Sequence, residues 1–69
     1  INKMETTALQ YLEWIANMNE KDQKRCSSDF SHQLSIYAEI LQMKYDIRNL
    51  PAEEEARYGK YISIYNRLR

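Results

Sequence analysis

This sequence predicts an all-α fold of three helices: a long central helix, a short N-terminal helix packed on it, and an antiparallel C-terminal helix. Two features of composition and one of pattern lead there. One Gly and one Pro in 69 residues leave almost no turn punctuation, which an all-β chain needs. Hydrophobic residues at 43% and charged residues at 29% suit a folded helical chain and are too apolar for obligate disorder. Apolar positions recur at spacings of three and four, the period of a helix face.

The first predicted helix runs from about Glu5 to Met18, with Ala8, Leu9, Leu12, Ile15 and Met18 as its apolar stripe. Tyr11 and Trp14 flank the stripe, and Asn17 and Asn19 interrupt it. Asn19 suits a cap for the second helix, since its side-chain oxygen can accept from first-turn amides. Glu20 and Asp22 then sit at the positive end of the helix dipole. Nothing later forces a break before Pro51, so one helix over 20–49 is expected, about 45 Å long at 1.5 Å per residue. Ser27 and Ser28 are its weakest positions, and a kink there or a later start near Asp29 is the alternative.

Two apolar rows lie along this helix. One holds Phe30, Leu34, Tyr37 and Leu41; the other holds Ile36, Ile40, Met43, Ile47 and Leu50. Such a broad face can touch two neighbours at once.

Pro51 fits the first position of the third helix, where its missing N–H costs nothing. Glu53, Glu54 and Glu55 follow as a solvated, dipole-favoured first turn. Tyr58, Tyr61, Tyr65 and Leu68 form its apolar row, and Gly59 is its weak point at about 1 kcal/mol against Ala. At about 27 Å this helix is expected to be far shorter than the central one. It should pair with the C-terminal half of the central helix in an antiparallel hairpin, leaving the N-terminal half for the first helix.

Charge and cysteine content narrow the function. Ten basic residues against ten acidic ones give no net charge, which disfavours a nucleic-acid binder or a polybasic membrane anchor. One Cys and one His supply neither an internal disulfide nor a tetrahedral zinc site. Cys26 and His32 are well apart around one helix, so they make no nucleophile–base pair within it. Cys26 reads as a small half-buried apolar residue and His32 as a surface residue. No enzyme, no metal and no cofactor is expected. No apolar run approaches the roughly 20 residues that span a bilayer, and no signal-peptide pattern opens the chain. A reducing, intracellular setting is the expectation. The first residue, Ile1, suggests a single helical domain, 1–69, taken from something longer.

A domain this small buries only about 60% of its unfolded surface, and its stability should be on the order of 3–5 kcal/mol. Help from a partner is therefore expected. Six tyrosines stand beside one Trp and one Phe, and Tyr is enriched at protein–protein interfaces. The candidate partner-binding residues are Tyr11, Trp14, Phe30, Leu34 and Tyr37 at the junction of the first two helices, with Tyr58, Tyr61 and Tyr65 on the third. Sequence alone does not divide these between core and interface.

The order of residues adds a resemblance. Tyr11-Leu12, Trp14-Ile15 and Met18 are followed by Asp22-Gln23-Lys24-Arg25, and then by Asp29-Phe30 with Leu34, Tyr37, Ile40 and Ile47. This run, with Gly59-Lys60 and Tyr65-Asn66-Arg67-Leu68-Arg69 near the end, resembles the occludin/ELL homology domain, nearer its ELL branch. The stretch between Ile47 and Tyr58 is shorter than in that family, and the family's final helix has no counterpart here. The resemblance implies the C-terminal domain of an ELL-type RNA polymerase II elongation factor. Such a domain is nuclear and docks onto a disordered segment of an AFF-family scaffold in the super elongation complex. The occludin branch implies instead a cytoplasmic tail bound to a tight-junction scaffold. An unrelated self-associating coiled-coil module, built on the row from Ile36 to Leu50, is the remaining expectation.

Overall fold

Four α-helices and one 3₁₀ turn form in the computed structural model, which describes residues 3–69. Helix α1, Lys3–Ala16, buries Ala8, Leu12 and Ile15 from the predicted stripe. Asn19 caps α2, Glu20–Arg25, accepting from the Asp22 amide at 2.9 Å as its side-chain chemistry predicts.

The single helix expected over 20–49 is broken. Its first break is at Cys26, just before the serine pair. The Cys26 amide is shared between the carbonyls of Asp22 and Gln23, both at 3.1 Å, and its own carbonyl accepts from Phe30 at 2.8 Å. Cys26 thus closes α2 and opens α3, Ser27–Lys44. The second departure is an early stop. Tyr45 is extended, and the Asp46 side chain accepts from the Arg48 amide at 3.0 Å to set up the turn Ile47–Asn49. A short acidic side chain bonding its local backbone competes with helix continuation. Pro51 then stands one residue outside α4, Ala52–Leu68, as its N-cap rather than its first helical residue. The central and last helices come out nearly equal, at 18 and 17 residues, where a large difference was expected.

Helix α3 packs antiparallel to both other long helices, which also touch each other through Glu13 and Lys60. Its predicted row of Phe30, Leu34, Tyr37 and Leu41 is buried. Helix α1 runs along the length of α3, so that Glu5 near the start of α1 meets Lys44 at the end of α3, 3.1 Å apart. This replaces the expectation that the first helix takes only the N-terminal half. Helix α4 returns along α3, meets α1 as well, and inserts Tyr61 and Ile64 into the core. The second predicted row does not survive as a seam. Ile40 is buried, while Met43, still within α3, is 74% exposed and Ile47, beyond its end, is 39% exposed.

Gln23 holds one end of the bundle together. Its amide donates to the carbonyls of Ile15 and Ala16, both at 3.2 Å, satisfying the open end of α1. Its oxygen accepts from Arg67 at 2.6 Å, which fastens the last turn of α4.

Phe30 is fully buried and meets Tyr61 edge-on with ring centres 6.2 Å apart. Phe30→Ala should therefore cost about 3–5 kcal/mol, enough to unfold a domain this small, as urea titration followed by circular dichroism will show. A Phe30→Ala chain that stays well folded contradicts its place in the core.

Candidate protein-docking surface

The tyrosines divide into two groups, and the division follows from the hydroxyl. A phenol buried among apolar groups needs a hydrogen-bond partner. Tyr37 is fully buried, and its hydroxyl donates to Glu54 at 2.9 Å while accepting from Arg57 Nε at 3.1 Å. Arg57 also pairs with Glu54 one turn away on α4. Burial pushes the Tyr37 phenol up to about 12, with the Glu54 carboxylate adding to the rise and the Arg57 hydrogen bond opposing it. The hydroxyl stays protonated, and a donor, across the physiological range. Burial alone would raise the Glu54 carboxyl; the hydrogen bonds from Arg57 and Tyr37 outweigh it and hold the group below its usual range.

Tyr61 repeats the arrangement across α1 and α4. Its ring packs edge-on against Tyr37, 6.0 Å between centres, and its hydroxyl donates to Glu13. Lys60 donates to the other Glu13 oxygen at 2.8 Å. The Lys60 hydrogen bond, followed by that of Tyr61, lowers the Glu13 carboxyl, while burial and then Glu13 raise the Tyr61 phenol.

Of the eight candidate residues, Phe30, Leu34, Tyr37 and Tyr61 thus belong to the core. Tyr58 and Tyr65 are half-buried along α4. Tyr11 and Trp14 remain at the surface, 44% and 61% exposed. These two are brought together: their rings stand edge to face, with centres 6.3 Å apart, on the outer side of α1. Gln10 joins them around a shallow depression. Met4, also exposed, continues the strip toward Ile36 of α3.

Glu5 is engaged by Lys44 and Glu13 by Lys60, so the acids of α1 are matched by bases from α3 and α4. Exposed aromatic area lined by the uncharged Gln10 suits a partner of mixed composition rather than a strongly charged one. His32 is exposed, and Cys26 is half-buried against the core, as expected. Among the described residues no group of three metal-ligating side chains comes together, and no helix is long and apolar enough to cross a membrane.

The polar framework was not legible in the spacing of apolar residues. Glu54 was expected in a solvated first turn and is buried under Tyr37 instead. The Glu54–Arg57 spacing of one turn was a visible signal, as was the need of any buried tyrosine for a partner. Glu13, Gln23 and the Glu5–Lys44 pair gave no comparable signal, since their partners lie far away in the chain. No family model, curated protein or solved structure matches this chain. The functional reading therefore rests on its residues and their geometry.

Glu13 and Glu54 both have folded-state carboxyls below the ordinary value. Their contribution is fully present above the unfolded glutamate value of about 4.3 and is lost as pH falls through the lower folded values. Glu54→Gln should cost about 1–2 kcal/mol at neutral pH, with Arg57's partial exposure limiting the loss. It should also flatten the decline in stability below about pH 4. Urea titrations across this range check both; parallel curves for the two proteins would contradict the assignment.

Proposed function

We propose that this chain is a protein-interaction module that performs no chemistry itself and docks a disordered segment of a partner along the outer face of α1. The exposed Tyr11–Trp14 pair carries the reading. Trp and Tyr dominate the residues that supply binding energy at interfaces, where a large ring is desolvated at low entropic cost. Neither ring is needed inside, because Phe30, Tyr37 and Tyr61 already fill the core. A segment that orders on contact would cover the pair and add the burial that so small a domain lacks.

The resemblance to the ELL branch supports the finer reading: a nuclear elongation-factor domain that engages an AFF-family scaffold. The positions behind that resemblance fall into two sets. Phe30, Leu34, Tyr37 and Ile40 are interior residues that specify a fold, while Tyr11 and Trp14 are free for a partner.

Calorimetric titration with an ELL-binding segment of an AFF-family scaffold tests this, with a zonula occludens guanylate-kinase domain as parallel titrant. Micromolar or tighter binding to the scaffold segment alone is expected. Trp14→Ala should weaken it by roughly 30-fold or more while leaving helicity unchanged, the behaviour of an interface anchor worth about 2 kcal/mol. Binding to the junction scaffold alone would place the chain in the occludin branch. Silence from both, with a folded chain, would overturn the finer reading.

A further inference from the structure

A second surface lies on the opposite side of the α3–α4 hairpin from α1. Three depressions run together there along α4. The first, about 330 Å³, lies between Leu50, Tyr58 and Gly59. The next, about 190 Å³, shares Tyr58 and Ile62 with it and reaches Tyr65. The last, about 160 Å³, continues from Tyr65 to Leu68 and Arg69. Ser31, Ser35 and Ala38 of α3 form the far wall of the middle section, so small side chains leave room for a helix beside α4. The trough follows α4 from Glu55 to Arg69, about 21 Å at 1.5 Å per residue.

We propose that this trough holds α4 of a second copy of the chain, antiparallel about a two-fold axis at Ile62. The sequence of α4 is self-complementary about that residue. Glu55 lies seven positions before Ile62 and Arg69 seven after it, both on the trough. A two-fold rotation sets each Glu55 beside the second copy's Arg69, giving the same ion pair at both ends. Among the described residues neither has an ion-pair partner within the chain; Arg69 lies over the Tyr65 ring, 5.8 Å from its centre. Arg48, which shares the Glu55 end, is engaged by Asp46 at 3.4 Å. Glu55 thus stands at one end of the trough and Arg69 at the other.

Shape matches in the same register. Gly59 and Tyr65 each stand three positions from Ile62, so the second copy's Tyr65 ring is laid over Gly59. A Cβ at Gly59 would meet nothing within 4 Å, so packing within the chain does not explain a glycine in mid-helix. Tyr58 is likewise brought opposite the second copy's Asn66, which supplies a hydrogen-bond partner for its hydroxyl. The two α4 dipoles oppose each other, and an isologous pair closes without propagating into a fibre. A foreign helix would have to bring its own base and acid at these two ends; a second copy already carries them. Self-pairing uses the α4 side and leaves Tyr11 and Trp14 free, so it stands independently of partner docking by α1.

Sedimentation equilibrium of this chain from micromolar to millimolar concentration tests the proposal. A reversible rise from one chain to two is expected. Glu55→Arg and Arg69→Glu should each shift the midpoint at least tenfold toward higher concentration, and the double variant should restore it. Gly59→Ala should raise the melting temperature of the dilute chain, through helix propensity, while weakening the dimer; a purely structural glycine would not split the two effects. A monomer throughout overturns the proposal and leaves the trough to a foreign helix. A dimer indifferent to both charge reversals overturns this interface. Circular dichroism on each variant establishes that these exposed substitutions leave the helices intact.

Discussion

The buried hydroxyl of Tyr37 is the constraint around which the rest of the fold is arranged. A ring in this position fills the space between α3 and α4 as a hydrocarbon would, but its oxygen needs a donor and an acceptor. Helix α4 supplies both, from Glu54 and Arg57, and those bonds fix how far along α3 it sits. With α4 in that register Tyr61 falls between Phe30 and Tyr37, and its own hydroxyl reaches Glu13 of α1. One phenol thus leads to the next, and three helices are placed by two tyrosines. At the far end Gln23 performs the corresponding task for α1 and α4 through a side chain 3% exposed.

Local chemistry made several elements legible in advance. The stripe of α1, the cap at Asn19, a weak point near Ser27-Ser28 (the break falls one residue earlier, at Cys26) and the buried row from Phe30 to Leu41 all follow from spacing and side-chain type. The early end of α3 was not legible in the same way. No residue between Lys44 and Pro51 forbids helix, and the stop depends on Asp46 bonding backbone two residues on. The burial of Glu54 was hidden for a related reason. Three adjacent glutamates read nearly alike in sequence; the one-turn spacing to Arg57 hints at the middle one, and the position of Tyr37 across the hairpin decides it. Periodicity marks which side of a helix is apolar, whereas which acid goes under it depends on contacts 17 positions apart.

The same logic separates framework aromatics from available ones. An interior Tyr is recognised by a satisfied hydroxyl and ring neighbours on several sides, as Tyr37 and Tyr61 are. Tyr11 and Trp14 stack only on each other, on a helix whose inner face is already complete. Covering such area adds burial that a domain of this size is otherwise short of. The depression beside Tyr11 and Trp14 shares no residue with the trough along α4, so the two proposed contacts would use different side chains.

Trp14 is the only tryptophan, which makes its fluorescence a direct report on the central claim. Emission and acrylamide quenching would be recorded for the folded chain alone and with the scaffold segment. The account predicts water-exposed emission and ready quenching in the free chain, then a blue shift and protection on binding. Binding confirmed by calorimetry with Trp14 emission and quenching unchanged would contradict it, and would move the docking surface off α1.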